Sequence, residues 1–271
     1  MYATHVLNFA RRFLFSFPSF IKEGWGGFKS PPAPLYGKRG GKMQAVILAA
    51  GRGTRMGELT NDVPKPMLKI SGRPILEYTL ANLPSEIDEV IFIIGYLGHK
   101  IRNHFGAEYQ GKDLQYVWQL SPSGTGGALW QIKKALHGKF IVLMGDDLYH
   151  QKDLKKILKH DLAVLVKEID EPSRFGVIEI DDNGHLVQIA EKPARPKSNL
   201  VNAGVYVLDG RIFNYPLVPV YDGREFGLPQ TMAQMADKHK IKVVRAEVWH
   251  PNTNGDDLQK AEEIVKKYFL I

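Results

Sequence analysis

The sequence has no cysteine, which excludes disulfides, iron-sulfur ligation, thiolate zinc sites and cysteine nucleophiles and is compatible with a reducing compartment. It also lacks any apolar run near the roughly 20 residues that span a bilayer. Its longest runs, such as Ala45–Ala50 and Val90–Ile94, are strand-sized. Past residue 42 it lacks an excess of charge as well. Residues 1–42 carry Arg11, Arg12, Lys22, Lys29, Lys38, Arg39 and Lys42 against Glu23, so the remaining 229 residues hold 29 of the 36 basic and 28 of the 29 acidic side chains. The formal charge of +7 is thus concentrated in one segment. A body this balanced does not supply the clustered cations that phosphate-backbone binding needs, so nucleic acid is not an expected partner. The expectation is a soluble, cytoplasmic protein with no transmembrane segment.

Several nucleotide and metal signatures are absent too. The third glycine of the first glycine-rich loop is Gly57, one position late for G-x-G-x-x-G, and no acid about 20 residues on ends a second strand. There is no G-x-x-x-x-G-K-[ST], and none of the nine histidines stands in an H-E-x-x-H or triad context.

What is present divides at Met43. Residues 1–42 are basic and rich in Phe, Gly and Pro, and three readings compete for them: a transit-like or membrane-surface segment, an ordered extension, or sequence upstream of a start at Met43. From residue 43 to 271, strand-like runs alternate with helical patterns. Strands are expected at Ala45–Ala50, Val90–Ile94, Leu114–Gln119, Phe140–Met144, Ala163–Val166, Gly176–Ile180, Leu186–Glu191, Val201–Leu208 and Lys242–Val248. Helices are expected at Ile75–Leu83, His99–Phe105, Gly127–His137, Asp153–His160, Gln230–Lys238 and Asp256–Phe269. That order predicts an α/β, Rossmann-like mixed sheet, mostly parallel, with helices on both faces. Short strands around Asn183-Gly184 predict an antiparallel insertion.

The first strand runs into Leu48-Ala49-Ala50-Gly51-Arg52-Gly53-Thr54-Arg55-Met56, where small residues let backbone N–H groups approach an anion. Alone, such a loop is equally a structural turn or a generic dinucleotide loop. Val63-Pro64-Lys65-Pro66-Met67-Leu68 follows, a lysine held between two prolines that fix the flanking φ angles. Two rigidly presented cations, Arg55 and Lys65, suit a triphosphate; the alternative is a solvated turn lysine.

Further on, Gln119 leads into Leu120-Ser121-Pro122-Ser123-Gly124-Thr125. A carboxamide carries donor and acceptor together and can read a pyrimidine edge, or simply end a strand. Phe140–Met144 stops at Gly145-Asp146-Asp147, where acids at a strand's carboxyl end are candidates for Mg²⁺. Gly176, Glu191-Lys192-Pro193 and Asn202-Ala203-Gly204 lie in the antiparallel region. A Glu beside a Lys can serve sugar hydroxyls and a phosphate, or be a plain surface ion pair.

In this order the motifs resemble the sugar-1-phosphate nucleotidylyltransferases, the nucleotide-sugar pyrophosphorylases, and within them the glucose-1-phosphate thymidylyltransferase and UTP-glucose-1-phosphate uridylyltransferase group. The resemblance runs from Met43 to about Phe269. It implies the nucleotide-diphospho-sugar transferase fold and transfer of a nucleotidyl group from UTP or dTTP to a sugar 1-phosphate, glucose 1-phosphate favoured. Arg55, Lys65 and Asp146 would be catalytic. Leu48, Ala49, Ala50, Gly51, Gly53, Thr54, Gln119, Pro122, Gly124 and Thr125 would bind nucleotide, and Gly176, Glu191, Lys192 and Asn202 the sugar phosphate. Asp146 would hold Mg²⁺, and a homo-oligomer stays open. Near the end the chain departs from the pattern. Where the family has Trp-x-Asp it reads Trp249-His250-Pro251, leaving Asn252 or Asp256 as the second oxygen donor. Competing readings are a non-catalytic nucleotide-sugar-binding or regulatory protein, and a same-fold enzyme using another phosphorylated acceptor.

Overall fold

The computed structural model describes residues 43–221 and 223–269; the basic extension 1–42 lies outside the described residues. In chain order the elements are β1 (Met43–Ala49), β2 (Lys69–Ile70), β3 (Arg73–Pro74), α1 (Ile75–Ala81), β4 (Ile87–Ile94), α2 (Gly98–Phe105), β5 (Glu108–Tyr109), β6 (Lys112–Trp118), α3 (Gly124–Gln131), β7 (Lys139–Met144), β8 (Asp147–Tyr149), α4 (Gln151–Ile157) and β9 (Ala163–Glu168). They continue as β10 (Gly176–Ile180), β11 (Leu186–Glu191), β12 (Leu200–Asp209), β13 (Val218–Val220), β14 (Glu225–Gly227), α5 (Leu228–Ala233), β15 (Lys242–Arg245), β16 (Trp249–Pro251) and α6 (Gly255–Tyr268). Short 3-10 turns at Thr54–Thr60 and Lys65–Met67 carry Arg55 and Lys65.

Ten strands form one mixed sheet in the order β11-β10-β12-β7-β1-β4-β6-β5, with β9 joining β12 to β15. β1 lies at its centre, parallel to β4 and β7, and β4 is parallel to β6. Strand β1 is a continuous apolar run because both its faces are covered. Ala45, Ile47 and Ala49 point into one buried cluster with Phe92 and Leu143, while Val46 and Leu48 point into the other with Ile91 and Val142. A third cluster packs α1 and α6 around Ile70, Tyr78, Leu148 and Phe269.

The antiparallel part is as expected: β10 and β11 pair through a turn at Asp181–Gly184, and β12 runs antiparallel to both β7 and β9. Several expected boundaries move, among them the helix expected at Asp153–His160, which is α4, Gln151–Ile157; three are tied to particular residues. The helix expected at Gly127–His137 spans Gly124–Gln131, because Gly126 and Gly127 serve close packing: an added Cβ would meet Leu217 Cδ2 at 2.9 Å and Ser123 Oγ at 2.2 Å. The strand expected at Lys242–Val248 stops at Arg245, because the Asp153 carboxylate accepts from the backbone N–H groups of Glu247 and Val248 and pulls the chain off the sheet. The helix expected at Gln230–Lys238 is α5, Leu228–Ala233, opened by Pro229 in its first turn.

Candidate functional site

The carboxyl ends of β1, β4, β6 and β7 open into a cleft of about 660 Å³. This is where open α/β sheets take ligands. The glycine-rich loop follows β1 directly, and its neighbours make room for it. A Cβ on Gly95, after β4, would meet Ala50 O at 2.7 Å, and one on Gly145, after β7, would meet Leu48 O at 3.1 Å. Gly145 N donates to Leu48 O at 2.9 Å and Gln119 N to Ile94 O at 2.8 Å, tying the loops to one another.

The cleft is lined by Leu48, Ala49, Ala50, Gly51, Gly53, Arg55, Lys65, Gln119, Pro122, Gly124, Thr125 and Asp146 from the sequence-predicted set. Thr54 is not among the lining residues; it opens the 3-10 turn and is exposed. Among the described residues nothing stands within 4 Å of the position a Cβ on Gly51 would take, so the loop leaves open space there.

Lys65 is buried, and its ammonium pairs with the Asp146 carboxylate. Its stem is placed by Gly53, which sits at φ +67° and would bring a Cβ to 2.9 Å of Lys65 Cβ. Across the cleft, Gln119 Nε2 donates to Ser123 Oγ at 3.0 Å and Gly124 O at 3.3 Å, which fixes the carboxamide on the loop it begins. Gly124 (φ +75°) packs directly on Phe226 backbone atoms of the β13–β14 hairpin, which brings Glu225 to the cleft wall.

Asp146 and its neighbour divide sharply. Asp146 keeps a quarter of its side chain exposed on the cleft. Asp147 turns inward, where Trp249 Nε1 donates to it at 3.1 Å and Tyr149 Oη at 3.4 Å. Burial and the adjacent Asp146 charge push its carboxyl up to about 7, against the opposing pull of Lys65. Strand β16 pairs with β8 so that Pro251 lies opposite Asp147. Asn252 is fully buried, donating Nδ2 to Asp146 O at 2.9 Å, while its Oδ1 has no partner among the described residues. Asp256 stands exposed in the first turn of α6, a helix capped by Asn254 and Asp257, and does not line the cleft.

Gly176, Glu191, Lys192 and Asn202 form a neighbouring cluster outside the lining of the cleft. Gly176 pairs with Glu191 across β10 and β11, and a Cβ on it would stand 3.3 Å from Glu191 Oε2 and 3.7 Å from Asn202. Glu191 and Lys192 form a half-exposed pair at 3.9 Å, with Lys192 held at φ +41°. Asn202 stitches a bulge in β12, accepting from Gly204 N at 3.0 Å and donating to Tyr206 Oη at 2.7 Å. Burial raises the pKa of the Tyr206 hydroxyl, and the charges of Glu191 and Asp147 on either side add to it.

Sequence reasoning missed Tyr96 and Arg52, which line the cleft with the guanidinium 5.1 Å from the ring centroid, and Glu225 and Thr253. Tyr96 follows the carboxyl end of β4, so the strand-end rule that found Asp146 could have found it.

The nucleotidyl transferase family profile matches residues 44–263, and the chain belongs to that family. It is 35% identical over 204 residues to the bifunctional protein GlmU of Methanocaldococcus jannaschii, covering 75% of this chain and 49% of that protein. It is 31% identical over 237 residues to the UTP–glucose-1-phosphate uridylyltransferase AglF of Haloferax volcanii, covering 82% and 97%. The chain spans about half the length of the GlmU relatives it matches. A UTP-bound UGPase from Acinetobacter baumannii superposes with a TM-score of 0.72 over 82% of this chain and 92% of that one, at 22% identity, a likeness of fold.

Proposed function

We propose that the protein transfers a nucleotidyl group from UTP or dTTP to a sugar 1-phosphate, with glucose 1-phosphate the favoured acceptor. The observation that carries the reading is a cleft at four strand ends in which Lys65, seated on Gly53, faces Asp146 beside a glycine-rich loop. An acceptor phosphate oxygen attacks the α-phosphorus in line. The bond to the β-phosphate bridging oxygen breaks, and pyrophosphate leaves. The nucleophile is already an anion, so the protein positions and neutralises rather than abstracting a proton.

Lys65 would give its remaining N–H donors to the α-phosphate, and Arg55 with the loop amides would hold the leaving pyrophosphate. Gln119, anchored on its own loop, would present its carboxamide to the pyrimidine. Glu191 and Lys192 would receive the sugar and its phosphate. The donor set at the cleft floor fits Mg²⁺, which takes one or two carboxylates plus phosphate oxygens and water: Asp146 supplies a partly exposed carboxylate on the cleft, and Asp256, in the first turn of α6, does not line the cleft. When bound there, Mg²⁺ would neutralise phosphate charge.

The test is steady-state pyrophosphate release by Lys65→Ala and Asp146→Asn. Each should lose roughly 10²–10³ in kcat, the cost of one charge-stabilising contact. Turnover at the parental rate in either variant would refute the assignment.

A further inference from the structure

A second cavity lies far along the sheet from the cleft, against the edge strand β15. It measures about 310 Å³ and is bounded by Lys242, Val243, Val244 and Arg245 of β15, by Lys156 of α4 and His160 just past its end, and by Ile180, Gly184 and Leu200 from the antiparallel insertion. Among the described residues no carboxylate lines it.

Two of its ammonium groups are held in place by backbone carbonyls. Lys156 Nζ donates to Arg245 O at 3.3 Å and Lys242 Nζ to Asn183 O at 3.1 Å. An ammonium has three donors, so each keeps others to offer. Among the described residues, Lys156, Lys242 and Arg245 form no ion pair with a carboxylate. Burial, and after it the charges of Lys242 and Lys139, lower the His160 pKa, against the opposite pull of Asp161. Between the cations the wall is apolar, formed by Leu200, Val244 and the half-exposed Ile180.

We propose that this cavity binds a small organic phosphate monoester, the dianion on Lys156, Lys242 and Arg245 and the carbon skeleton against Ile180 and Leu200. Three basic residues lining one cavity with no carboxylate among them suit a dianion, and a volume of about 310 Å³ suits a small molecule rather than a polymer. The proposal stands apart from the catalytic reading and survives its failure.

The test uses glycerol 3-phosphate and inorganic phosphate as probes, by calorimetric titration at fixed ionic strength. The background is Lys65→Ala, chosen to weaken phosphate binding in the main cleft. Glycerol 3-phosphate should bind saturably, and adding Lys242→Gln and Arg245→Gln should weaken it about tenfold or more, the effect of losing charged hydrogen bonds. On the otherwise native chain, the same two substitutions should leave pyrophosphate release unchanged. Equal binding with and without them overturns the proposal, as does binding of inorganic phosphate alone. If the substituted chain fails to fold, a tungstate soak of native crystals decides: an ion within hydrogen-bond reach of Lys242 and Arg245 supports the site, and its absence there overturns it.

Discussion

A methyl group on Gly53 would need a left-handed backbone and would press on Lys65 Cβ, so one small substitution tests how Lys65 is aimed. Gly53→Ala should cost about 1–2 kcal/mol of stability from φ alone and should lower kcat further by displacing the ammonium, measured by thermal melting and pyrophosphate release. A variant that loses stability but keeps kcat would show that Lys65 is not positioned by this contact. At the other side of the cleft, Gln119→Ala removes the group assigned to the base. It should raise KM for the nucleotide and flatten the preference between pyrimidine and purine triphosphates, read from kcat/KM ratios. The Asp147 carboxyl, enclosed by Trp249, Tyr149 and the β8–β16 pair, supports the floor on which Asp146 stands.

Two elements give separate tests. In β12 the bulge places Gly204 at φ +73° with a hypothetical Cβ 2.6 Å from Met144 Cγ and 3.3 Å from Tyr149 Oη. Gly204→Ala should therefore destabilise by roughly 2–4 kcal/mol through left-handed strain and overpacking, seen in denaturant titration. In α6 a capping box joins Asn254 and Asp257. Burial pulls the Asp257 pKa up, but hydrogen bonds from Thr253 and Asn254 outweigh it and hold the carboxyl below its usual range. A depressed native pKa means that the stabilisation is present above the unfolded value and is lost as pH falls through the native one. Asp257→Asn should remove part of the acid-side loss of stability, measured by melting between neutral pH and about pH 3.

Elements were legible in the sequence where one local signal sufficed. The apolar run Ala45–Ala49 of β1, buried on both faces, the Asn183-Gly184 turn and the amphipathic α6 all follow from run length, spacing and turn chemistry. Features set by distant contacts were not. The end of β15 depends on Asp153, some 90 positions earlier in the chain, and Gly124 and Gly126 of α3 are explained by the β13–β14 hairpin packed on them. The site divides in the same way. The glycine-rich loop, Lys65 and Asp146 are readable because each ends a strand or is framed by proline, whereas the burial of Asn252 and the arrival of Glu225 come from pairing across the fold.

For the molecule as a whole, charge location has a direct consequence. The nucleotidyl transferase match begins at residue 44, and the body beyond residue 42 is nearly neutral. A chain of residues 43–271 should turn over like the full chain but lose its retention on heparin, because retention of this kind follows clustered cations. Retention that survives the deletion would place a basic surface on the catalytic body instead.

The central claim concerns which bond is made. The most direct measurement is pyrophosphate release across a grid of nucleoside triphosphates and sugar 1-phosphates, with and without Mg²⁺, the nucleotide sugar being identified by mass. The account predicts release that needs UTP or dTTP, a sugar 1-phosphate and the metal together, with one nucleotide sugar formed per pyrophosphate. Release that proceeds without the sugar phosphate, or none with any pair, would contradict it.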